Sequence, residues 1–312
     1  MTSSRNILIT GATGLVGRQL CEKLVAEGHH VYAVLRPTSN AKKLIADVRP
    51  LYMDVYHFTA VDVNRLDAIG KIHGVIHLAG DSVFGLWTAE KRKRIYNSRV
   101  LYTRQLAELL CALEHPPEIF ISASAIGIYG MHNHDLPLTE EAPHAKDFLA
   151  KVCQDWEKAS ELLSNAGVRT VQARFGVIFG RQGGALQAML PAFKLGLGGK
   201  LGDGTQWMSW VHLQDVLGAL CFALEHPDLR GAMNVVSPEP VTNDVFTKTL
   251  GHVLKRPTPF PVPAIALKAL LGMGEALLLA SQRCVPEVLE THGYPFQFPT
   301  LETALNDLIH KI

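Results

Sequence analysis

The 312-residue sequence has no surplus of either charge: 30 lysines and arginines face 29 aspartates and glutamates, for a formal net charge of +1. That balance gives no electrostatic ground for binding nucleic acid or an acidic membrane surface. The one basic cluster, Lys91, Arg92, Lys93 and Arg94, reads as a solvated helix face. Cysteine is scarce and scattered: no two of Cys21, Cys111, Cys153, Cys221 and Cys284 lie within four residues. This spacing excludes a zinc knuckle and a Cys-x-x-Cys redox pair, so no metal is expected. An odd, dispersed set suits reduced thiols. The chain is expected to enter its first strand without a signal peptide and to be a cytoplasmic protein. An unbroken membrane-length apolar run is also missing. The stretch from Ala264 to Ala280 comes nearest, but Lys268, Gly272, Gly274 and Glu275 interrupt it, so it reads as a bent or paired buried helix. No internal repeat is visible.

What the chain does have is a strand, a glycine turn and a helix at its start. Ile7, Leu8 and Ile9 form a short branched apolar run, the pattern of a buried parallel strand. Gly11, Gly14 and Gly17 follow, and Arg18 to Ala26 places Leu20, Leu24 and Val25 at a helical period. Gly11 permits the tight turn, Gly14 lets backbone approach a pyrophosphate, and Gly17 lets helix and strand pack closely. The free N–H groups of the first helical turn then face the anion. A second strand, Val31 to Leu35, ends at Arg36. In a dinucleotide fold this is where the adenosine ribose is met. An acid there would accept the 2′-hydroxyl of NAD, whereas Arg36 suits the 2′-phosphate of NADP. The competing reading is a solvated surface arginine, but no Asp or Glu lies between Val31 and Ala46.

Leu51 to Met53 reads as a third strand, with Asp54 and Val55 placed beside the adenine. Val75 to Leu78 is the fourth, and the small Ala79-Gly80 at its carboxyl end leaves room for cofactor. Trp87 to Leu113 reads as one long helix in which Arg99 lies among apolar positions. Ile119 to Ile121 is the fifth strand, followed by Ser122-Ala123-Ser124 and a loop with Gly127, Gly130, Pro137 and Pro143. A helix over Phe148 to Leu163 and a sixth strand over Thr170 to Phe175 complete the alternation. This is the pattern of a doubly wound α/β fold with a parallel sheet. After residue 175 the texture changes, with five glycines between Leu195 and Gly204 and prolines at 238, 240, 257, 259, 261 and 263. A strand over Trp207 to Val211, a helix over Leu213 to Leu224, a strand over Met233 to Val236 and a final helix over Leu301 to Ile309 are expected. The predicted organisation is a nucleotide-binding domain over 1–175, to which 205–236 returns, and a smaller lobe with a tail over 176–312.

The sequence resembles the extended short-chain dehydrogenase/reductase superfamily in Thr10-Gly11-Ala12-Thr13-Gly14-Leu15-Val16-Gly17, His77-Leu78-Ala79-Gly80, Ser122-Ala123-Ser124, Tyr129-Gly130 and Trp210-Val211-His212-Leu213-Gln214-Asp215-Val216. Within it, the chain is most similar to the atypical epimerase/dehydratase-like branch of the YfcH type. Trp87-Thr88, Ser98-Arg99-Val100, Asp147-Phe148-Leu149-Ala150, Trp156-Glu157, Gly202-Asp203-Gly204 and the tail from Pro286 to Phe298 carry that closer likeness. The resemblance implies a Rossmann-type fold that binds NADP(H). It implies cofactor contacts from Thr10, Gly11, Thr13, Gly14, Leu15, Val16, Gly17, Leu35, Arg36, Leu78, Ala79, Gly80, Arg99, Val177 and Ile178. Arg99 stands where ordinary members place an asparagine. It also implies a possible homodimer through the two long helices of the nucleotide domain.

The catalytic candidates are Ser124, placed to hydrogen-bond a substrate oxygen, and Tyr129, a source of a phenolic proton. A turn cap for Ser124 and a satisfied buried aromatic for Tyr129 are the competing readings. Ordinary superfamily enzymes carry a Tyr-x-x-x-Lys pair on the helix after the serine. Registering that helix by Trp156-Glu157 puts Leu149 and Cys153 in those places, so no such relay is expected. The function expected is an NADP(H)-binding oxidoreductase or nucleoside-sugar-epimerase-like protein acting on a small carbonyl or hydroxyl substrate. The alternative is an NADPH-binding sensor or scaffold without turnover.

Overall fold

The computed structural model describes residues 4–54, 56–83, 85–131, 135–259, 261 and 280–310. Val55 and most of the apolar stretch, residues 264–279, lie outside the described residues.

The first half alternates as the pattern predicts: β1 Asn6–Thr10, α1 Leu15–Ala26, β2 His30–Leu35, β3 Arg49–Tyr52, α2 Ala60–Asp67, β4 Gly74–His77, α3 Ala89–Tyr96, α4 Tyr102–Cys111, β5 Ile119–Ala125, α5 Phe148–Lys158, α6 Glu161–Asn165 and β6 Arg169–Phe175. The rest comprises β7 Val177–Gly180, β8 Gly183–Gly184, α7 Ala185–Lys194, β9 Trp207–Met208, β10 Trp210–His212, α8 Leu213–Glu225, β11 Gly231–Val235, β12 Val241–Thr242, α9 Asn243–Leu254, α10 Glu287–Thr291 and α11 Leu301–His310.

Seven strands form one parallel sheet in the order β11-β6-β5-β4-β1-β2-β3. This is a Rossmann-type α/β fold. From β1 the chain winds outward through β2 and β3, then returns to β4 on the other side of β1. A crevice therefore opens at the carboxyl ends of β1 and β4, where the winding reverses. Side-chain alternation sends successive residues of each strand to opposite faces. Ile7, Ile9, Val31, Ala33 and Ile76 pack with Leu20 and Leu24 of α1 and Leu220 of α8. Leu8, Val34, Val75 and Phe120 pack on the other face with Leu66 of α2 and Leu106 and Leu110 of α4. Both faces being covered is why β1 reads as a continuous apolar run. A smaller core joins Phe179 of β7, Leu186 and Leu190 of α7, Phe246 and Leu250 of α9, and Leu301 and Leu305 of α11.

Three predicted elements are divided. The helix expected over Trp87 to Leu113 is α3 and α4 joined by a π-helical turn at Asn97–Leu101. Such turns insert one residue into the hydrogen-bond ladder and often mark functional sites; this one carries Arg99. The helix expected over Phe148 to Leu163 breaks into α5 and α6 at Ser160, whose Oγ donates to the Glu157 carbonyl at 2.7 Å. The strand expected over Trp207 to Val211 splits at Ser209. β9 pairs antiparallel with β12, while β10 pairs parallel with β7. The hydroxyl of Ser209 donates to the Gln282 carbonyl at 2.7 Å and accepts from the Cys284 N–H at 2.8 Å, which fixes the division.

Candidate active site

The glycine turn closes against the end of β4. Gly11 has φ +71°, and a Cβ there would stand 2.7 Å from the Leu78 carbonyl carbon. Gly14 caps α1 from an extended conformation and its N–H donates to the Gly11 carbonyl at 2.9 Å. A Cβ on Gly17 would meet the Gly11 carbonyl oxygen at 2.3 Å, so helix and turn touch there as the sequence pattern requires. The first turn of α1 carries no acid, and its N–H groups are free to face an anion.

Two adjoining cavities open over this turn and share Gly11, Gly14, Leu78 and Gly80. The smaller, about 410 Å³, is lined on one side by Thr13, Leu35, Arg36 and Ser39, and on the other by Tyr56, Ala79, Asp81 and Arg94. The larger, about 840 Å³, brings together Leu15, Val16, Gly17, Arg99, Ser124, Val177 and Ile178. Most of the predicted cofactor residues therefore line one continuous crevice. Two do not. Thr10 is fully buried beneath it; its Oγ1 hydrogen-bonds His77 Nδ1 at 2.7 Å and accepts from the Ala79 N–H at 3.3 Å. It shapes the end of β4 from below because the β1 pleat points it inward. Asp54 is exposed and outside both linings; its Oδ1 accepts from the Tyr56 N–H at 3.0 Å. That contact holds the Asp54 carboxyl below its usual range and turns the chain so that Tyr56 lines the crevice instead.

Ser124, the last residue but one of β5, lines the larger cavity, with its Oγ donating to Glu157 Oε1 at 2.6 Å. Glu157 is clamped by Arg174 of β6 through paired contacts of 2.9 Å each. A bidentate pair of this kind fixes the carboxylate in place. Tyr129 corrects the expectation of a proton source. The 3₁₀ turn Ile126–Tyr129 folds it inward, where it is fully buried and lines neither cavity. Its hydroxyl donates to Asn234 Oδ1 at 2.8 Å and accepts from Arg174 Nη1 at 2.8 Å. Burial pushes its phenol well above the usual range. The competing reading of a satisfied buried aromatic is the one the structure shows.

Helix α5 presents Leu149, Val152, Cys153 and Trp156 to the cavity, one face at helical spacing. A Cβ on Gly127 would touch Cys153 Sγ at 3.9 Å and Leu149 Cβ at 4.0 Å, which puts both residues directly under the loop after β5. Burial pushes the Cys153 thiol up to about 12, so it is neutral at ordinary pH. Lys151 points away, exposed and paired with Asp155 at 2.8 Å. The Arg99 guanidinium lies over the Trp156 ring, 5.2 Å from its centroid, and its Nη1 donates to the Asp81 carbonyl at 3.0 Å. Sequence reading gave no role to Trp87, Phe148 and Trp156, which form one wall. The signal available was the i, i+3, i+4, i+7 spacing of residues 149, 152, 153 and 156. Among the described residues no group of three or more His, Cys, Asp and Glu side chains could hold a metal ion. No described helix is long and apolar enough to cross a membrane.

Residues 7–236 match the model of the NAD dependent epimerase/dehydratase family, and residues 262–308 match a domain of unknown function, DUF1731. The epimerase family protein YfhF of Bacillus subtilis (strain 168) is 36% identical over 304 residues, covering 97% of this chain and 98% of that protein. The crystal structure of human epimerase family protein SDR39U1 (isoform 2) with NADPH superposes with a TM-score of 0.86 at 30% identity, covering 98% of this chain and 100% of that one. A structure named as a nucleoside-diphosphate sugar epimerase from Corynebacterium glutamicum superposes with a TM-score of 0.76 at 34% identity, covering 97% of this chain and 57% of that one. With its glycine turn, crevice and parallel sheet, this chain belongs to the NAD dependent epimerase/dehydratase family.

Proposed function

We propose that this protein binds NADP(H) and uses it to oxidise or reduce a small carbinol or carbonyl compound, as an oxidoreductase or an epimerase-like enzyme. The observation that carries the reading is the continuity of the crevice, with Arg36 at one end and Ser124 at the other. The residues present fit the cofactor: the exposed Gly14 leaves the anion site open, and Arg36 supplies a cation where the 2′-phosphate would lie. The related human structure with NADPH supports the same choice. Hydride chemistry belongs to the cofactor. The chain would hold its diphosphate on the first turn of α1 and hold the substrate oxygen at Ser124 Oγ. On oxidation that hydroxyl would accept the carbinol proton while passing its own to Glu157 Oε1, and on reduction the same two transfers would run in reverse. Registering α5 by Trp156-Glu157 assigns Leu149 and the neutral Cys153 to the tyrosine and lysine positions, and on that reading the proposed chemistry runs without the relay.

Titration of NADPH and NADH against the wild type and Arg36→Ala tests the cofactor reading. A charge-assisted contact contributes about 1.5–3 kcal/mol, roughly ten- to a hundred-fold in affinity. NADPH should lose that factor in the variant and NADH should not. Equal affinities in the wild type would overturn the NADP assignment. A panel of aldehydes, ketones and alcohols tests turnover. Clean NADPH binding with no turnover on any of them would favour the sensor or scaffold reading.

A further inference from the structure

We infer that the substrate half of the larger cavity takes an apolar, phosphate-free compound bearing one carbonyl or carbinol oxygen, such as an arylalkyl ketone, and not a nucleotide-linked sugar. The inference rests on the NADP(H) reading above and specifies its substrate. Beyond the glycine turn and Ser124, the wall is made by Trp87, Ile95, Phe148, Leu149, Val152 and Trp156. Trp87 and Phe148 meet edge to face, with centroids 5.8 Å apart and planes at 64°. Such a pair offers an aromatic ligand a face or an edge of its own to pack against.

Several polar atoms of this wall are already engaged inside the protein. Trp87 Nε1 donates to the Val83 carbonyl at 2.7 Å. Asp147 Oδ1 accepts from the Leu149 and Ala150 N–H groups at 2.9 and 3.1 Å, capping α5. Gln282 Nε2 donates to the carbonyls of Ile126 at 3.0 Å and Gly130 at 2.7 Å. The Cys153 thiol is neutral. Among the described lining residues Arg99 is the only lysine or arginine. It stands beside Gly80, a residue shared with the Arg36 cavity, and its Nη1 is bound to the Asp81 and Ile95 carbonyls.

A nucleoside-diphosphate sugar would bring a second diphosphate and several hydroxyls into this space. Removing those charges from water requires cations and donors beyond the set that serves the cofactor. Arg99, the one such cation among the described lining residues, is already held by the Asp81 carbonyl and the Trp156 ring and does not supply them. A ligand with one oxygen and an apolar body asks for what the described lining holds: one hydroxyl, Ser124, which can turn its O–H from Glu157 Oε1 to a carbonyl oxygen, in a hydrophobic enclosure.

Calorimetric titration of the full chain, with and without saturating NADPH, tests the inference. The probes are 4-phenyl-2-butanone and UDP-glucose. The ketone should bind saturably to the NADPH-loaded protein with a negative heat-capacity change, the mark of apolar burial. UDP-glucose should give no heat at millimolar concentration. Leu149→Gln should weaken the ketone roughly tenfold and leave NADPH affinity unchanged, with Phe148→Ala as a second variant if the first does not fold. UDP-glucose binding to the NADPH-loaded protein, or ketone affinity indifferent to both wall variants, would overturn the inference. Failure of NADPH itself to bind would overturn only the parent reading, because the ketone titration without cofactor still reports on the wall.

Discussion

His77 shows how much a single buried residue does beneath the site. Its Nδ1 faces Thr10 Oγ1 at 2.7 Å and its Nε2 faces Thr103 Oγ1 at 2.8 Å, tying β4 to β1 on one side and α4 on the other. The ring is fully buried, edge-on to Tyr102 at 5.0 Å. Burial lowers its pKa from 6.5 to about 3. The unfolded chain takes up a proton on this imidazole near 6.5, and the folded chain does not until about 3. Stability from the neutral ring is therefore complete above pH 6.5 and is lost as the pH falls toward 3. One proton of difference changes stability by about 1.4 kcal/mol per pH unit. Urea unfolding between pH 6.5 and 5, above most carboxylate titrations, should show this slope on top of what the lowered His29 and His144 add. A His77→Gln variant should make the slope shallower by up to one proton's share; an unchanged slope would place the acid sensitivity elsewhere. In the sequence, His77 was legible only as part of a motif, since Thr103 is 26 residues away. Arg36 was easier to single out, because its chemistry and its distance from the glycine turn are both written locally. Tyr129 misled for the opposite reason: Arg174 and Asn234 lie 45 and 105 residues further on, on strands that were expected but whose meeting with Tyr129 nothing local announces.

At the scale of elements, the glycine turn separates folding from binding. Gly17 is where α1 touches the turn, and a Cβ would fall 2.3 Å from the Gly11 oxygen and 2.8 Å from the Ala12 Cα. Neither atom is the end of a flexible side chain, so backbone must shift. Gly17→Ala should destabilise the protein by about 1–3 kcal/mol, read from a denaturant melt. Gly14 has only the Gly11 oxygen near its Cβ position, at 3.2 Å, and is otherwise open to the crevice. Gly14→Val should therefore fold with a melt close to wild type and lose NADPH binding, because its side chain fills the space a pyrophosphate needs. A Gly14→Val protein that still binds NADPH would put the phosphate elsewhere. The spacing of the three glycines announced this element clearly. β7 and α9 were not announced. β7 has four residues and pairs with β10, whose partner residues lie more than thirty positions away. α9 carries Val245, Thr247, Thr249, Gly251 and Val253, residues of modest helix propensity; Thr242 caps it by accepting from the Val245 N–H at 3.3 Å, and its apolar face packs into the smaller core.

The whole molecule is joined across its halves by Asp215, at the start of α8. Its Oδ1 accepts from the Gln297 N–H at 2.7 Å and its Oδ2 from the Phe298 N–H at 2.9 Å, while Tyr294 donates its hydroxyl to the Asp215 carbonyl at 3.1 Å. Gly218 allows this approach, since a Cβ there would stand 2.1 Å from the Tyr294 oxygen. The sequence displayed both partners, the Val211-His212-Leu213-Gln214-Asp215 run and the Gly293-Tyr294 to Phe298 tail, but nothing local said that they meet across some eighty residues. Burial raises the Asp215 carboxyl, and the two backbone donors oppose that shift, so the acid and the tail need each other. Asp215→Ala leaves the two N–H groups without their acceptor, at about 1–3 kcal/mol for each buried unsatisfied group. The tail should then open before the sheet does, because regions held by few contacts unfold locally at lower cost. Hydrogen exchange reads this directly: the amides of Gln297 and Phe298 should lose protection in Asp215→Ala, while those of β1, β4 and β5 keep theirs. If sheet and tail amides lose protection together, docking of the tail is instead part of one cooperative fold.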